Sequence, residues 1–368
     1  MIYLDHGATS FPKPRAVTSA MADALQRCAN PGRSGHKPAM IAAEKVWNTR
    51  ELAGGFLGCD PEKVVFTASC TQSLNMAVNT LVKPGSRVVI TGFEHNAVTR
   101  PIYARTDKVS IAGRRLFDWE DTLTAWEQAL QKGADAAIFT HASNVFGYIL
   151  PAQQLSDLCR QYGVPFIVDA AQTAGILPVS LKEWGADFVA MPGHKGLLGP
   201  QGTGILLCGR DIDPLIQGGT GSRSVAQTMP DFLPDAGEAG TVNVPGIAGL
   251  GAGISYVKRE GLDRIFARES RQAQLLAQEL ERMGVKVFYG AHQGGTVSFV
   301  TKTDCEEFAG RLAEFGICVR AGLHCAPLAH QSAGTLQSGT VRVSFGHDAN
   351  DYKREKLLQI LKKLRSKL

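Results

Sequence analysis

The chain has 368 residues, 44% of them hydrophobic and 20% charged, which predicts a globular protein of about two domains with no membrane span. Its net charge of +5 arises between Asp351 and Leu368, a segment that contains seven basic and two acidic residues. Because the rest of the chain is neutral, no nucleic-acid-binding surface is predicted. Eight cysteines without a close pair, and an N-terminus unlike a signal peptide, predict a cytoplasmic protein with reduced thiols and no metal site.

Strands and helices alternate through the first part of the chain. Six short apolar runs have the composition of buried strands: 64–66, 88–90, 136–139, 166–168, 188–190 and 204–207. Longer stretches such as 153–162 lie between several of them and predict helices. This alternation predicts a mainly parallel sheet with helices on both faces, which binds its ligands at the carboxyl ends of the strands.

Polar residues follow the first two predicted strands closely. The segment Ser69-Cys70-Thr71 comes after 64–66 and precedes a helix. Such residues either cap the helix or bind an anion at its N-terminus, and a phosphate is the natural anion if a cofactor lies nearby. His95 follows 88–90, and this position favours a ring stacked on a cofactor over a structural histidine.

Two charged residues follow two later strands. Asp169 comes directly after 166–168, and Lys195 lies in Gly-His-Lys-Gly after 188–190. Taken alone, the aspartate is a helix cap or the partner of a pyridinium nitrogen, and the lysine is a surface residue or a Schiff-base amine. Together they can address two ends of one aromatic cofactor. The sequence therefore predicts a pyridoxal-phosphate (PLP) enzyme in which Lys195 holds the cofactor.

The last third of the chain has a different pattern. The segment 218–240 is rich in Gly, Ser, Thr and Pro and predicts a long loop. After about Pro245, helices and the strands 296–300 and 341–345 predict a second, smaller domain. The last segment of the chain has leucines at helical spacing: Leu357, Leu361, Leu364 and Leu368. This pattern favours a helix packed on the second domain over a helix bound to a membrane or to nucleic acid.

These segments resemble the class V aminotransferase family of fold-type I PLP enzymes, and most closely its cysteine desulfurase and selenocysteine lyase branch. The likeness begins at Tyr3-Leu4-Asp5-His6-Gly7-Ala8-Thr9 and covers nearly the whole chain, and its specific feature is Asp-x-x-Gln combined with Gly-His-Lys. It implies a homodimer with an α/β fold. The large domain, 13–244, would hold a mainly parallel seven-stranded sheet, and 1–12 with 245–368 would form a smaller α+β domain.

The resemblance also implies a role for each matching residue. Lys195 would form the Schiff base and move the Cα proton, while Asp169 would pair with the pyridine nitrogen. His95 would stack on the ring and serve as an acid or base. The remaining cofactor-binding residues would be Ser69, Cys70, Thr71, Asn144, Gln172, His194 and, reaching into the partner subunit, Thr241. The substrate would contact Ala8, Asn144 and Arg342, the last as a clamp on its carboxylate.

One position departs from the family pattern. Pro192 stands three residues before the lysine, where the family usually has Ser or Thr. Proline removes a hydroxyl and a backbone N–H, so we expect the phosphate site to depend more on Ser69, Thr71 and the loop of the partner subunit.

The segment Arg320-Ala321-Gly322-Leu323-His324-Cys325-Ala326-Pro327 resembles the cysteine-bearing loop of the desulfurase branch. Cys325 is either an incidental thiol or a nucleophile, and its Gly, His and Pro neighbours favour the nucleophile. His324 and Arg320 would favour the thiolate. The expected reaction converts L-cysteine to L-alanine and leaves a persulfide on Cys325. Since the loop is short, it resembles members that pass sulfur to a dedicated acceptor protein.

Three alternatives stay open. A selenocysteine lyase would act on L-selenocysteine with the same residues. A class V transaminase or epimerase would not need Cys325. A non-catalytic sulfur-carrier scaffold would need neither Lys195 nor Asp169 nor Arg342.

Overall fold

The computed structural model describes residues 1–32 and 34–368, which fold around one large and two small β-sheets. Its strands, in chain order, are β1 (Ile2–Tyr3), β2 (Val64–Thr67), β3 (Val88–Thr91), β4 (Val109–Ala112), β5 (Ala136–Thr140), β6 (Phe166–Asp169), β7 (Phe188–Pro192), β8 (Gly204–Cys208), β9 (Val287–Phe288), β10 (Thr296–Phe299), β11 (Ile317–Cys318), β12 (Arg320–Gly322) and β13 (Thr340–Ser344).

The large sheet has seven strands in the order β2-β8-β7-β6-β5-β3-β4. Strand β8 runs antiparallel to both of its neighbours, and the other neighbouring pairs are parallel. All residues of β2, β3, β5, β6, β7 and β8 are buried. This burial explains why these strands appear in the sequence as continuous apolar runs. The predicted α/β class and mainly parallel seven-stranded sheet are confirmed.

Helices cover both faces of this sheet and the second part of the chain. They are α1 (Arg15–Arg27), α2 (Lys37–Phe56), α3 (Cys70–Leu81), α4 (Asn96–Tyr103), α5 (Trp119–Gln131), α6 (Ala152–Gln161), α7 (Leu181–Trp184), α8 (Val244–Glu260), α9 (Leu262–Arg282), α10 (Cys305–Glu314), α11 (Pro327–Ala333) and α12 (Asp351–Lys363). None of the described helices is both long and apolar enough to cross a bilayer.

The second part of the chain has its own sheet and core. Strands β12-β13-β10-β9 form an antiparallel sheet, and β1 pairs with β11 in a parallel two-stranded sheet, so the N-terminus joins the C-terminal elements. The apolar face of α12 packs into this core, where Leu357 and Leu361 are fully buried. Helix α8 instead contributes Ile247, Leu250 and Ile254 to the core of the large sheet. The boundaries at 12/13 and 244/245 stay a prediction.

Candidate active site

A cavity of about 210 Å³ lies at the carboxyl ends of β5, β6 and β7, where they meet the second part of the chain. The structure brings almost all of the predicted site residues to this cavity: Ala8, Ser69, Cys70, Thr71, His95, Asn144, Asp169, Gln172, His194, Lys195, Cys325 and Arg342. Thr241 lies elsewhere, on an exposed stretch that lines other cavities. Its predicted contact with the partner subunit stays a prediction.

Lys195 lies in the tight turn that follows β7. Gly193 is required in this turn, because a Cβ atom there would lie 2.2 Å from Oγ1 of Thr203. Desolvation lowers the pKa of the Lys195 ammonium, and this effect outweighs the opposing attraction of Asp169. The lysine therefore loses its proton more easily than a surface lysine, as an amine nucleophile or base requires.

The N-terminal segment holds this turn in place. Nζ of Lys13 lies 2.7 Å from the carbonyl oxygen of His194, which also accepts hydrogen bonds from Ser10 and Thr9. Thr9 also contacts the His194 ring, with Oγ1 3.1 Å from Nδ1. Sequence reasoning missed Lys13, because a hydrogen bond to a distant backbone carbonyl leaves no pattern in the residue types.

Asp169 ends β6 and is 3% exposed. Its Oδ1 accepts hydrogen bonds from the backbone N–H of Ala171 at 2.9 Å and from the thiol of Cys70 at 3.6 Å. Both of these bonds reach Oδ1, so Oδ2 is the oxygen left for a ligand. Burial raises the pKa of the Asp169 carboxyl, while the N–H of Ala171 and the charge of Lys195 act in the opposite direction. A cationic partner at Oδ2 would therefore stabilise its ionised form.

The N-terminus of α3 borders the same cavity. Oγ of Ser69 accepts a hydrogen bond from the backbone N–H of Gln72 at 3.2 Å, which is a standard helix cap. Cys70 and Thr71 form the first turn and line the cavity, together with Pro192 from the end of β7. The free N–H groups and dipole of this helix end favour an anion there.

His95 caps α4 and faces the cavity. Its Nδ1 accepts a hydrogen bond from the backbone N–H of Ala97 at 3.0 Å, so the proton of the neutral ring sits on Nε2. Burial lowers the pKa of His95 to about 4, and the charges of Lys195 and Arg320 act in the same direction. The ring is therefore neutral near pH 7 and can accept a proton only at the cost of losing this cap.

Arg342 lies in β13 and is 1% exposed. Its Nη2 is 2.5 Å from Oδ1 of Asp5, and its Nη1 donates to the backbone carbonyl of Asn144 at 3.0 Å. Gly7 leaves room for the guanidinium, because a Cβ atom at that position would lie 3.1 Å from Cζ. Asp5 was missed by sequence reasoning, since it is separated from Arg342 by nearly the whole chain.

The loop that carries Cys325 joins β12 to α11. His324 and Cys325 both have left-handed backbone conformations, with φ of 51° and 55°. The carbonyl of His324 accepts a hydrogen bond from Nδ2 of Asn144 at 2.8 Å, and that of Cys325 accepts one from the backbone N–H of Asn96 at 2.7 Å. These two bonds tie a strained loop to the wall of the cavity. Among the eight cysteines, Cys325 alone is exposed.

The predicted role of His324 in favouring the thiolate is not supported by its surroundings. The ring is 5% exposed and stacks against His330, with 3.5 Å between Nδ1 and Nε2. Burial lowers the pKa of His324 to about 2, so the ring carries no positive charge near pH 7. The basic residues that line the cavity with the thiol are Arg320, Arg342 and Lys195.

Comparison with known proteins gives one consistent picture. A family model described as aminotransferase class-V matches residues 2–354. The chain is 33% identical over 361 residues to a probable cysteine desulfurase of Methanothermobacter thermautotrophicus, a match that covers 94% of this chain and 90% of that protein. It is 32% identical to a probable cysteine desulfurase of Pyrococcus abyssi, over 94% and 89% of the two chains.

Solved structures agree with these relatives. The apo structure of the cysteine desulfurase from Thermococcus onnurineus NA1 superposes with a TM-score of 0.91 at 31% identity, over 99% of this chain and 94% of that chain. The cysteine desulfurase CsdA of Escherichia coli, in an S-sulfonic acid form, gives a TM-score of 0.85 at 25% identity, over 100% and 95% of the two chains.

Proposed function

The chain belongs to the class V aminotransferase family, and we propose that it is a PLP-dependent cysteine desulfurase. The reaction takes the sulfur atom from L-cysteine, leaves L-alanine and forms a persulfide on Cys325. The observation that carries this proposal is the exposed thiol of Cys325, which shares one cavity with Lys195 and Arg342.

The residues of the cavity fit PLP. Oδ2 of Asp169 is free to pair with a protonated pyridine nitrogen, and the N-terminus of α3 with Thr71 suits the phosphate. The neutral ring of His95 can lie against the pyridine, and Lys195 supplies the amine. When bound there, the cofactor would store the electron pair released at the substrate carbon.

The substrate would be held by its carboxylate. Arg342 is buried and already oriented by Asp5 and by the carbonyl of Asn144, so its remaining N–H groups can bind a carboxylate without losing side-chain freedom. Nε of Arg342 and Oδ1 of Asn144 are buried and have no hydrogen-bond partner within residues 1–32 and 34–368. Nε of Arg342 can donate to the substrate carboxylate, and Oδ1 of Asn144 can accept a hydrogen bond from another polar group of the ligand.

Lys195 is the residue that would move the proton of the substrate Cα. Desolvation favours the neutral amine, which can take the proton from the substrate Cα through Nζ. The thiolate of Cys325 bonds to the substrate sulfur while the bond between that sulfur and the substrate Cβ breaks. Cβ takes up a proton from solvent, which balances the proton lost by the Cys325 thiol, and Nζ of Lys195 returns the proton to Cα. The products are alanine and the persulfide of Cys325. No external oxidant or reductant is needed for this half of the reaction.

The persulfide would then pass to a second protein. Only Leu323 to Ala326 separate β12 from α11, so the thiol stays at the mouth of the cavity and an acceptor must approach it there. We also propose a homodimer in which Thr241 reaches the phosphate of the partner subunit, since Thr241 is exposed and lies outside the cavity of its own chain. A reducing compartment such as the cytoplasm suits a free catalytic thiol.

The test is to incubate the purified protein with L-cysteine and a thiol reductant, and to measure sulfide and alanine. We expect equal amounts from the wild type and from Cys28→Ala, which changes a partly buried cysteine elsewhere, and neither product from Cys325→Ala. If the wild type forms neither while its visible absorbance still shows bound cofactor, the desulfurase proposal is wrong. L-selenocysteine, and then pairs of amino and keto acids, would be the next substrates.

A further inference from the structure

Three side chains next to the active site take no part in the proposed reaction. His6 follows Asp5 in the N-terminal segment, and His347 and Asp348 lie in the turn after β13. One ligand atom from each of the three lies within 4.8 Å of the other two. Nε2 of His6 is 3.4 Å from Oδ1 of Asp348. Two imidazoles and a carboxylate therefore converge on one point.

Several of these atoms lack the partner that buried polar atoms require. His6 is 7% exposed, and neither of its ring nitrogens has a hydrogen-bond partner among the described residues. Nδ1 of His347 and Oδ1 of Asp348 also lack a hydrogen-bond partner among the described residues, so the 3.4 Å approach of His6 to Asp348 is a close polar contact rather than a hydrogen bond. A buried polar group without a partner destabilises the fold. A bound ion or water would satisfy these atoms.

We propose that His6, His347 and Asp348 bind a divalent transition-metal ion, with Zn²⁺ as the best match. Ligand atoms of a tetrahedral zinc site lie roughly 3.3 Å apart, which follows from metal–ligand distances of about 2.0–2.1 Å and agrees with the 3.4 Å contact. Mg²⁺ and Ca²⁺ prefer oxygen ligands and do not match two imidazoles. With three protein ligands, the fourth position would hold water.

The charges around the site have opposing effects. Nζ of Lys353 is 2.6 Å from Oδ2 of Asp348, which leaves Oδ1 free and fixes the orientation of the carboxylate. The positive charge of Lys353 weakens the binding of a cation. Glu269, 3% exposed, lies in the wall of the cavity that also contacts His6 and His347, but burial raises the pKa of its carboxyl to about 8, so near neutral pH it does not offset that charge.

The position of the site links it to the substrate clamp. Gly7, next to His6, donates its N–H to Oγ of Ser344 at the end of β13, and Asp5, on the other side, holds Arg342. The turn after β13 has glycine at 346, where a Cβ atom would lie 2.1 Å from Nδ1 of His6. A bound ion would therefore cross-link the N-terminal segment that carries Asp5 to the strand that carries Arg342, and would stabilise the fold.

The experiment measures Zn²⁺ binding to tag-free holoenzyme carrying Cys325→Ala, so that the exposed thiol cannot bind the ion. The protein is first treated with a chelator and then titrated by calorimetry, and its Tm is recorded with and without Zn²⁺. His347→Gln and Asp348→Asn remove ligands from a partly exposed turn. As a control, His292→Gln removes an exposed histidine elsewhere.

We expect one equivalent of bound Zn²⁺ and a rise in Tm. Both should be retained in His292→Gln, while the dissociation constant should rise by at least about 10- to 100-fold in His347→Gln and Asp348→Asn, because losing a ligand costs no less than losing a residue that orients one. The Tm of each variant without metal shows whether it is folded. The proposal is wrong if the parent protein binds no stoichiometric ion, in which case water satisfies the cluster. It is equally wrong if His347→Gln and Asp348→Asn bind Zn²⁺ as tightly as the parent protein, or if His292→Gln loses as much affinity as they do.

Discussion

The hydrogen bond from the backbone N–H of Asn96 to the carbonyl of Cys325 can be removed almost alone. Asn96 is the first residue of α4, a position at which proline is tolerated because its N–H has no partner within the helix. The preceding residue, His95, is extended with φ of −76° and ψ of 155°, as a residue before proline must be. Asn96→Pro should therefore keep the helix and lose the hydrogen bond to the loop that carries Cys325.

The expected effect of Asn96→Pro is moderate. One net hydrogen bond contributes about 0.5–1.5 kcal/mol, which corresponds to about a 2- to 12-fold fall in sulfide formation if the bond positions the thiol for attack. The assay follows sulfide and alanine from L-cysteine, with the visible absorbance of the cofactor as a measure of an intact Lys195 site. Asn96→Ala keeps the N–H and should behave like the wild type. Full activity in Asn96→Pro, or an equal loss in Asn96→Ala, would refute this explanation of how the thiol is held.

Three further predictions concern the clamp and the buried histidines. Asp5→Ala leaves Arg342 buried without its partner, so the free energy of unfolding should fall by about 3–5 kcal/mol and Tm by about 4–6 °C. In contrast, Asp213→Ala breaks an exposed ion pair of similar length, 2.6 Å, and should cost at most about 1 kcal/mol; equal effects would contradict the burial argument. Gly7→Ala places a Cβ atom against a guanidinium that cannot move freely, and should raise KM for L-cysteine more than it lowers kcat. Burial lowers the pKa of His141 to about 4 in the folded protein, below the value of about 6.5 in an unfolded chain, so stability should fall as the pH drops from about 6.5 to 4; a constant Tm between pH 7 and 5 would be inconsistent with this.

The large sheet could be predicted from the sequence because its central strands are buried on both faces. Each apolar run from 64–66 to 204–207 lies within a strand that extends it by at most two residues. Strand β4 was missed, since it lies at the edge of the sheet, is only half-buried and carries Ser110 on its exposed side. The short strands β9, β11 and β12 depend on pairing partners far along the chain, which no local pattern encodes.

The site could be predicted where side chains follow strand ends, because parallel strands bring their carboxyl ends to one edge. Lys195 and Asp169 are of this kind. The sequence could not predict contacts made through the backbone, such as that of Lys13 with the turn after β7. It also misled on charge: His324 lies beside the thiol in the sequence, but its burial keeps the ring neutral. Residue type predicts which chemistry is available, whereas burial decides the protonation state.

The conformation of the thiol loop bears on how sulfur leaves the enzyme. Two successive residues other than glycine in left-handed conformations cost about 1–3 kcal/mol each, and the hydrogen bonds from Asn96 and Asn144 offset part of that cost. If the loop swung outward to deliver a persulfide, it would lose both bonds. The thiol is therefore held most favourably at the cavity, so the proposed acceptor would present its own nucleophile at the cavity mouth. We expect such an acceptor to surround Cys325 and to contact Arg320 through an acidic group, because Arg320 is exposed and lines the same cavity as the thiol.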